Sequence, residues 1–483
     1  MWFFLENKLD KPIGTIIKSI YHIIYILMNT KTGIITKIKH FHEVFKDRRT
    51  YEIFKTVISG IWLLKDWKQW DLANVGWKTL AQIQYFFYKS QWNSRLLNSS
   101  RVQWIRNKIP WCADTKGDIA IFDATVETKN NTSSFRGLAS WLFSNRDKKV
   151  VNGLEIFWAS IVTKSWTKYM LNLSLFFKKT VLNFQDMKKP SLIWEAWRKF
   201  ITKTLSMTKA WLVVLDSWFK WANTCKWIFG ICKRHFLVRI SQSQIFTTEN
   251  NHKFKIEDCL IKANAIHFEK GRMWVFKNVF LKSWIKKWVK IPVNIIVYHL
   301  NGPKNPMVLV TSASLEDVYE NMIRKNSEPS WKEKKEEYTR NTSVVISWEE
   351  ERIYGCFIAL YRKRWSIEEC FKELKSYLCF EDFKVTSYES IMKYLHIILV
   401  VHTLLIIMTD TLYWNKSSFE FVYSYLKEKR NMKSKKITLI WVKLFIEMMF
   451  QTWCIWKIKG KHQKTLTELL KTSICLKPIL LLS

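Results

Sequence analysis

The sequence predicts an α/β fold, and three observations predict it. Short aliphatic runs that end on a carboxylate read as buried strands in the first half of the chain. Residues 246–345 alternate apolar and polar positions between turn signals, as strands do. Apolar residues at three- and four-residue spacing before 110 and after 348 read as helices. At 483 residues the chain is too long for one simple core, so about two to four structural units are expected.

Taken in order, residues 1–110 form a helical region, with "IKSIYHIIYILM" and "YEIFKTVISGIWLL" as its periodic segments. It ends in the basic stretch "SQWNSRLLNSSRVQWIRNK" before Pro110, so it is read as a DNA-binding region, although it contains no recognisable helix-turn-helix. Residues 111–245 change texture. "GDIAIFDATVE" (117–127) is a strand-like run that reaches Asp123, and "AWLVVLDSWF" (210–219) repeats the design with Asp216. "RHFLVRISQSQIF" (234–246) reads as a third strand. Residues 246–345 are the β-rich part, with "NGP" at 301–303 as a turn and the charged run 326–343 as a loop. Helical patterning returns over 346–410 and continues through a basic C-terminal region, 411–483.

Charge narrows the function. The chain carries 78 Lys and Arg against 41 Asp and Glu, a net charge of +37. Such an excess repels itself in a compact state and calls for a polyanionic partner, either nucleic acid or an anionic membrane surface. The membrane reading is the weaker one. The apolar run 395–408, interrupted by His396 and His402, falls short of the roughly 20 residues of a bilayer span, so it is read as a buried helix. The N-terminus has no basic start followed by a long apolar core, which points to the cytoplasm, beside the nucleoid. Nine cysteines form no C-x-x-C pair, and the spacing of Cys225, Cys232 and His235 fits no standard zinc pattern. The chain has 27 Trp and only 12 Gly. Trp166 and Trp288, in Lys-rich turn-like surroundings, suit stacking on bases; a genome poor in glycine codons, or a glycine codon read as Trp, would leave the same composition.

The chemistry centres on 360–378, "LYRKRWSIEECFKELKSYL". If the whole segment is one α-helix, Tyr361, Arg364, Glu368 and Lys375 share a stripe about 60° wide, beside an apolar stripe of Leu360, Ile367, Phe371, Leu374 and Leu378. Glu369 and Glu373 then point away and are read as solvated. Arg364–Glu368 could be an ordinary i, i+4 ion pair. Asp123 and Asp216, each closing an apolar run, change that balance, because a carboxylate at the end of a buried strand is rigidly placed. Asp114 and Asp118 compete for the first position but precede their apolar run. Three hard oxygen donors suit two Mg²⁺ or Mn²⁺ ions, which activate a nucleophile and stabilise a leaving oxygen in phosphodiester displacement.

The spacing Tyr361-x2-Arg364-x3-Glu368-x6-Lys375 resembles the Y-R-E-K signature of the bacterial insertion-sequence transposases of the IS-four group. "IFDATVETK" is similar to that family's first-aspartate segment, "VVLDSWF" to its second, and "RDKKVVNGLEIF" to the segment between them. The resemblance covers roughly 115–410. It implies a ribonuclease H-like DDE catalytic core, built from 111–245 and 346–410, with the β-rich 246–345 inserted before the glutamate. It implies Asp123, Asp216 and Glu368 as catalytic ligands of two divalent ions. Arg364 and Lys375 would grip phosphates near the cleaved transposon end, with Tyr361 positioning that end. The implied partners are the terminal inverted repeats, target DNA and a second copy of the chain. Two other readings stay open: a different ribonuclease H-like nuclease, and an inactive or repurposed DNA-binding derivative.

Overall fold

The helices before residue 110 carry their own start signals. In the computed structural model, Asp47 accepts hydrogen bonds from the Thr50 N–H and hydroxyl, both at 2.7 Å, and so opens helix α1, Arg48–Leu63. A capping box of Thr79 and Gln82 starts α2, Leu80–Tyr88, and the Asn93 side chain caps α3, Ser94–Lys108. The structure describes residues 39–63, 78–113, 115–128, 139–144, 149–164, 166–176, 193–216, 221–248, 252–258, 273–281, 291–298, 307–322, 348–378, 380, 385–414 and parts of 419–447. The segment "IIKSIYHIIYILM", Asp114, Trp288, the 301–303 turn and the 326–343 run lie outside them.

The chain divides into two compact units, 1–109 with 371–483, and 110–370. In the first, α1, α2 and α3 pack against a long helix at Tyr388–Trp414. That helix is apolar on all sides, which is the pattern of a fully buried helix. It is long and apolar enough to cross a membrane over Tyr388–Asp410, yet its most apolar window is wholly buried in the protein, as expected for a core helix. Several of its polar groups are paired inside the unit. Thr403 accepts from the buried Arg101 at 2.9 Å, Ser390 donates to the Phe87 carbonyl at 3.1 Å, and Lys393 donates to the Ser90 carbonyl at 2.6 Å.

The second unit is built on one sheet. β1 (Ile119–Thr128) pairs antiparallel with β3 (Lys149–Val162), which also pairs with β2 (Ser140–Ser144) and β4 (Lys168–Phe176). On its other side β1 runs parallel to β5 (Leu212–Leu215), and β5 runs parallel to β6 (His235–Ile240). Helix α4 (Ile193–Leu205) sets Trp197 edge-on to Phe157 of β3, with ring centroids 4.8 Å apart. Helix α5 (Trp221–Gly230) follows β5, packs against β6 and leads the chain into it. Gly153 is required where β1 and β3 approach: a Cβ there would stand 2.5 Å from the Glu127 carbonyl oxygen.

The expected strand content of 246–345 is present in the described residues, and it extends the same sheet. β7 (Ile245–Thr247), β8 (Lys253–Lys255), β9 (Met273–Leu281), β10 (Val293–Tyr298) and β11 (Met307–Thr311) continue the order β6-β11-β10-β9-β7-β8. The expected single strand over 234–246 is instead two, β6 and β7, because the chain turns at Ser241–Gln244, where Gln244 N–H bonds the Ser241 carbonyl. After α6 (Leu315–Met322) come α7 (Trp348–Arg362), α8 (Trp365–Leu378) and α9, the Tyr388–Trp414 helix. The fold is mixed α/β, as the sequence pattern indicates.

Candidate active site

Pairing brings the two aspartates together. In the parallel ladder, Ile119–Phe122 of β1 face Leu212–Leu215 of β5, with Phe122 opposite Leu215. Asp123 and Asp216 are the next residue on each strand. β5 ends there, whereas β1 continues to Thr128 against β3, so Asp123 lies inside its strand, opposite Trp158, instead of closing it. Both carboxylates stand just past the paired stretch of two adjacent parallel strands, near the usual ligand position of an open α/β sheet.

The third carboxylate comes from the first turn of α8, where Glu368 also benefits from the positive end of the helix. The assumption of one helix over 360–378 needs correcting: α7 ends at Arg362 and α8 begins at Trp365. Between them the backbone tightens to three-residue hydrogen bonds, Arg364 N–H to the Tyr361 carbonyl and Ile367 N–H to the Arg364 carbonyl. The break separates Tyr361, on α7, from Glu368, on α8. It nevertheless leaves Tyr361 and Arg364 beside Asp216, whose charge acts on both side chains.

One guanidinium nitrogen joins the group. Arg364 Nη1 lies 2.9 Å from Glu368 Oε1, 3.9 Å from Asp123 Oδ2 and 3.9 Å from Asp216 Oδ2. Its side chain is 12% exposed, against 20% for Asp123 and 38% each for Asp216 and Glu368. Burial pushes the Asp123 carboxyl up to about 7, and the charges of Asp216 and Glu368 push the same way. The Ala124 N–H, bonded to Asp123 Oδ1 at 2.8 Å, and the Arg364 charge hold it down. Burial works against the Arg364 charge, but Tyr361 and the three carboxylates outweigh it and hold its pKa above the ordinary value. Burial and Asp216 push the Tyr361 phenol up to about 12, so it is a hydrogen-bond donor at neutral pH.

The remaining expected residues are placed as follows. Lys375 stands half-buried in the last turn of α8, on the part of that helix assigned to the other unit. Asp118 is fully buried one residue before β1, five residues from Asp123 along the chain. Glu369 is solvated as expected, 65% exposed, and pairs with Lys168 at 2.8 Å. Glu373 departs from its solvated reading: it is 17% exposed and bonded to the buried His402 at 3.0 Å. A helix at 388 onward supplies that partner, and no periodicity within 360–378 could announce it. Cys225 is buried, and His235 faces Asp317 at 3.5 Å, so the candidate grouping of Cys225, Cys232 and His235 has no support as a metal cluster.

Sequence reasoning also missed a brace beside the site. Lys168, the first residue of β4, reaches Glu369, and Lys363 Nζ sits 4.0 Å above the ring of Trp166. Trp166 lies in the β3–β4 connection with φ of 68°, a left-handed conformation that glycine adopts most easily. Together these contacts hold the β3–β4 turn against the α7–α8 junction. The only sequence signal was the polar, turn-like setting of Trp166.

The donor set fits divalent cations. Three carboxylates brought in by β1, the end of β5 and α8 surround one guanidinium nitrogen, and hard oxygen donors of this kind are the ones Mg²⁺ and Mn²⁺ take. Among known proteins, residues 198–404 match the family model described as the transposase DDE domain. The match takes in Asp216, Tyr361, Arg364, Glu368 and Lys375 and begins after Asp123. No curated protein matches the chain. The match supports a transposase of the DDE type.

Proposed function

We propose that this protein is a DNA transposase that cuts the ends of its own insertion element and joins them to target DNA. The observation that carries the reading is the gathering of Asp123, Asp216 and Glu368 around Arg364 Nη1, just past the parallel pairing of β1 and β5. The transposase DDE match over 198–404 and the charge of +37 support it. The mixed sheet with its carboxylates past that pairing supports a ribonuclease H-like core, and the Tyr361, Arg364, Glu368 and Lys375 spacing supports the IS-four group.

Asp123, Asp216 and Glu368 would hold two Mg²⁺ or Mn²⁺ ions. When bound, these ions supply activation of water or a 3′-hydroxyl and stabilisation of the leaving oxygen. The protein's own residues place the DNA. Tyr361, protonated at neutral pH, donates to the end being cut, while Arg364 and Lys375 meet phosphates. Trp365, 58% exposed and beside Arg364, offers an indole face next to a cation, a combination that suits single-stranded bases. The chain works as a homodimer on paired ends, in the cytoplasm with the nucleoid.

The test is Mg²⁺-dependent cleavage and joining of the element's inverted-repeat ends, compared with Glu368→Gln. Losing an outer-sphere partner of a metal ligand costs about 10- to 100-fold, so losing the ligand itself should cost at least that in rate while end binding persists. Full activity in the variant would sink the assignment. End binding by the wild type without any cleavage would instead mark a repurposed DNA-binding protein.

A further inference from the structure

The transposase reading asks Arg364 to grip a DNA phosphate, yet its guanidinium is already committed. Nη1 is the point on which all three carboxylates converge, at 2.9, 3.9 and 3.9 Å. Nε is buried and has no hydrogen-bond partner among the described residues. The guanidinium carbon lies 5.3 Å from the ring of Trp365. This is the geometry of an internal counter-charge, and it leaves a buried N–H with nothing to bond.

A cation held by these oxygens at the usual Mg²⁺ distance would sit within about 5 Å of Nη1, taking the three contacts as fixed. Two like charges that close in a partly buried site repel each other. Arg364 therefore competes with such a cation for the same carboxylate oxygens. Its backbone gives it somewhere to go. It stands on the two-residue break between α7 and α8, outside the regular i→i−4 ladder, where a small change of dihedral angles redirects the side chain.

We propose that Arg364 is the resident counter-cation of the site, competing with divalent ions for Asp123, Asp216 and Glu368 and becoming available to DNA phosphate only when they take its place. The proposal rests on the reading of those three residues as metal ligands. Coupling follows from it in both directions. Drawing Arg364 onto a phosphate tightens divalent-ion binding, and divalent-ion binding tightens the grip on phosphate by the same factor. The side chain thereby ties the two ligands of the reaction to one another without a second site.

The experiment is calorimetric titration of the full chain with Mn²⁺ in the absence of DNA, so that no turnover enters the readout. Arg364→Gln should bind Mn²⁺ about tenfold more tightly than the wild type, a common size for such coupling. Equal or weaker binding overturns the proposal. Lys363→Gln, which removes a neighbouring charge that covers Trp166, should change the affinity far less. An equal gain in both variants would mean a general field effect and would also overturn it. Glu368→Gln separates the two levels: if it leaves Mn²⁺ binding untouched, the metal-ligand reading itself fails. Should Arg364→Gln not fold, the wild type still decides. Phenylglyoxal modification of Arg364, followed by peptide mass spectrometry, should accelerate severalfold when Mn²⁺ is saturating, whereas an unchanged or slower rate refutes the exchange.

Discussion

Gly153→Ala is the smallest change that should loosen the strand carrying Asp123. Gly153 pairs with Thr128 of β1 and Ser140 of β2, so its backbone is held by ladders. The new methyl would meet the Glu127 carbonyl oxygen at 2.5 Å, its carbon at 3.1 Å and Val126 Cγ1 at 3.2 Å. A relaxed carbon-to-oxygen contact is about 3.3–3.6 Å, so one strand must yield by nearly an ångström. Such overpacking costs about 1–3 kcal/mol. For a unit of this size each kcal/mol lowers the melting temperature by about 2–4 °C, so a fall of about 2–12 °C is expected. The assay is a thermal melt followed by circular dichroism, with Gly230→Ala as the matched control. Nothing lies within 4 Å of a Cβ at Gly230, the last residue of α5, so that variant should be neutral or more stable by up to about 1 kcal/mol. Equal melting of Gly153→Ala and the wild type would refute the close-approach argument, and so would equal losses in both variants.

Two more outcomes follow from the same structure. Asp123 titrates at about 7 in the folded chain against an ordinary 3.8, so the native state holds the extra proton between those values. The contribution of this group to stability should then fall as pH rises from about 4 through 7. Cation-free melts of the wild type and Asp123→Asn across that range check it, and a difference that grows in the wild type's favour with pH would contradict it. Arg101 is fully buried and bonds Asn98 and Thr403. Arg101→Ala should therefore cost about 2–5 kcal/mol in urea unfolding, and a loss within experimental error would show that this network carries no stability.

The parts legible in the sequence are those encoded locally. Asp123 and Asp216 stand out because each follows an apolar run, four residues before Asp123 and six before Asp216, and these runs form the ladder that sets them side by side. The run 395–408 is legible as a buried helix because it is apolar on every face, although its extension to Tyr388, which gives it the length of a membrane span, is not. The break at Lys363–Arg364 is not, because no Gly or Pro marks it and the wheel pattern runs straight through. Strands β2, β3 and β4 escaped notice for a related reason. Most of β3 is buried, so it lacks the alternation that reveals a half-exposed strand. Glu373 was misread because its partner, His402, lies 29 residues on, and helical periodicity carries no information over that distance.

The register of β1 and β5 also fixes what the site can tolerate. Asp123 and Asp216 are far apart along the chain, but their separation in space is gauged by the spacing of neighbouring strands, about 4.8 Å. The intervening segments, which include β2, β3, β4 and α4, do not set that distance. Residues added or lost in their connections leave the gauge unchanged so long as Ile119–Phe122 still face Leu212–Leu215. A shift of one residue in that pairing would turn one carboxylate to the opposite side of the sheet. The chain is thus permissive in loop length and strict in register.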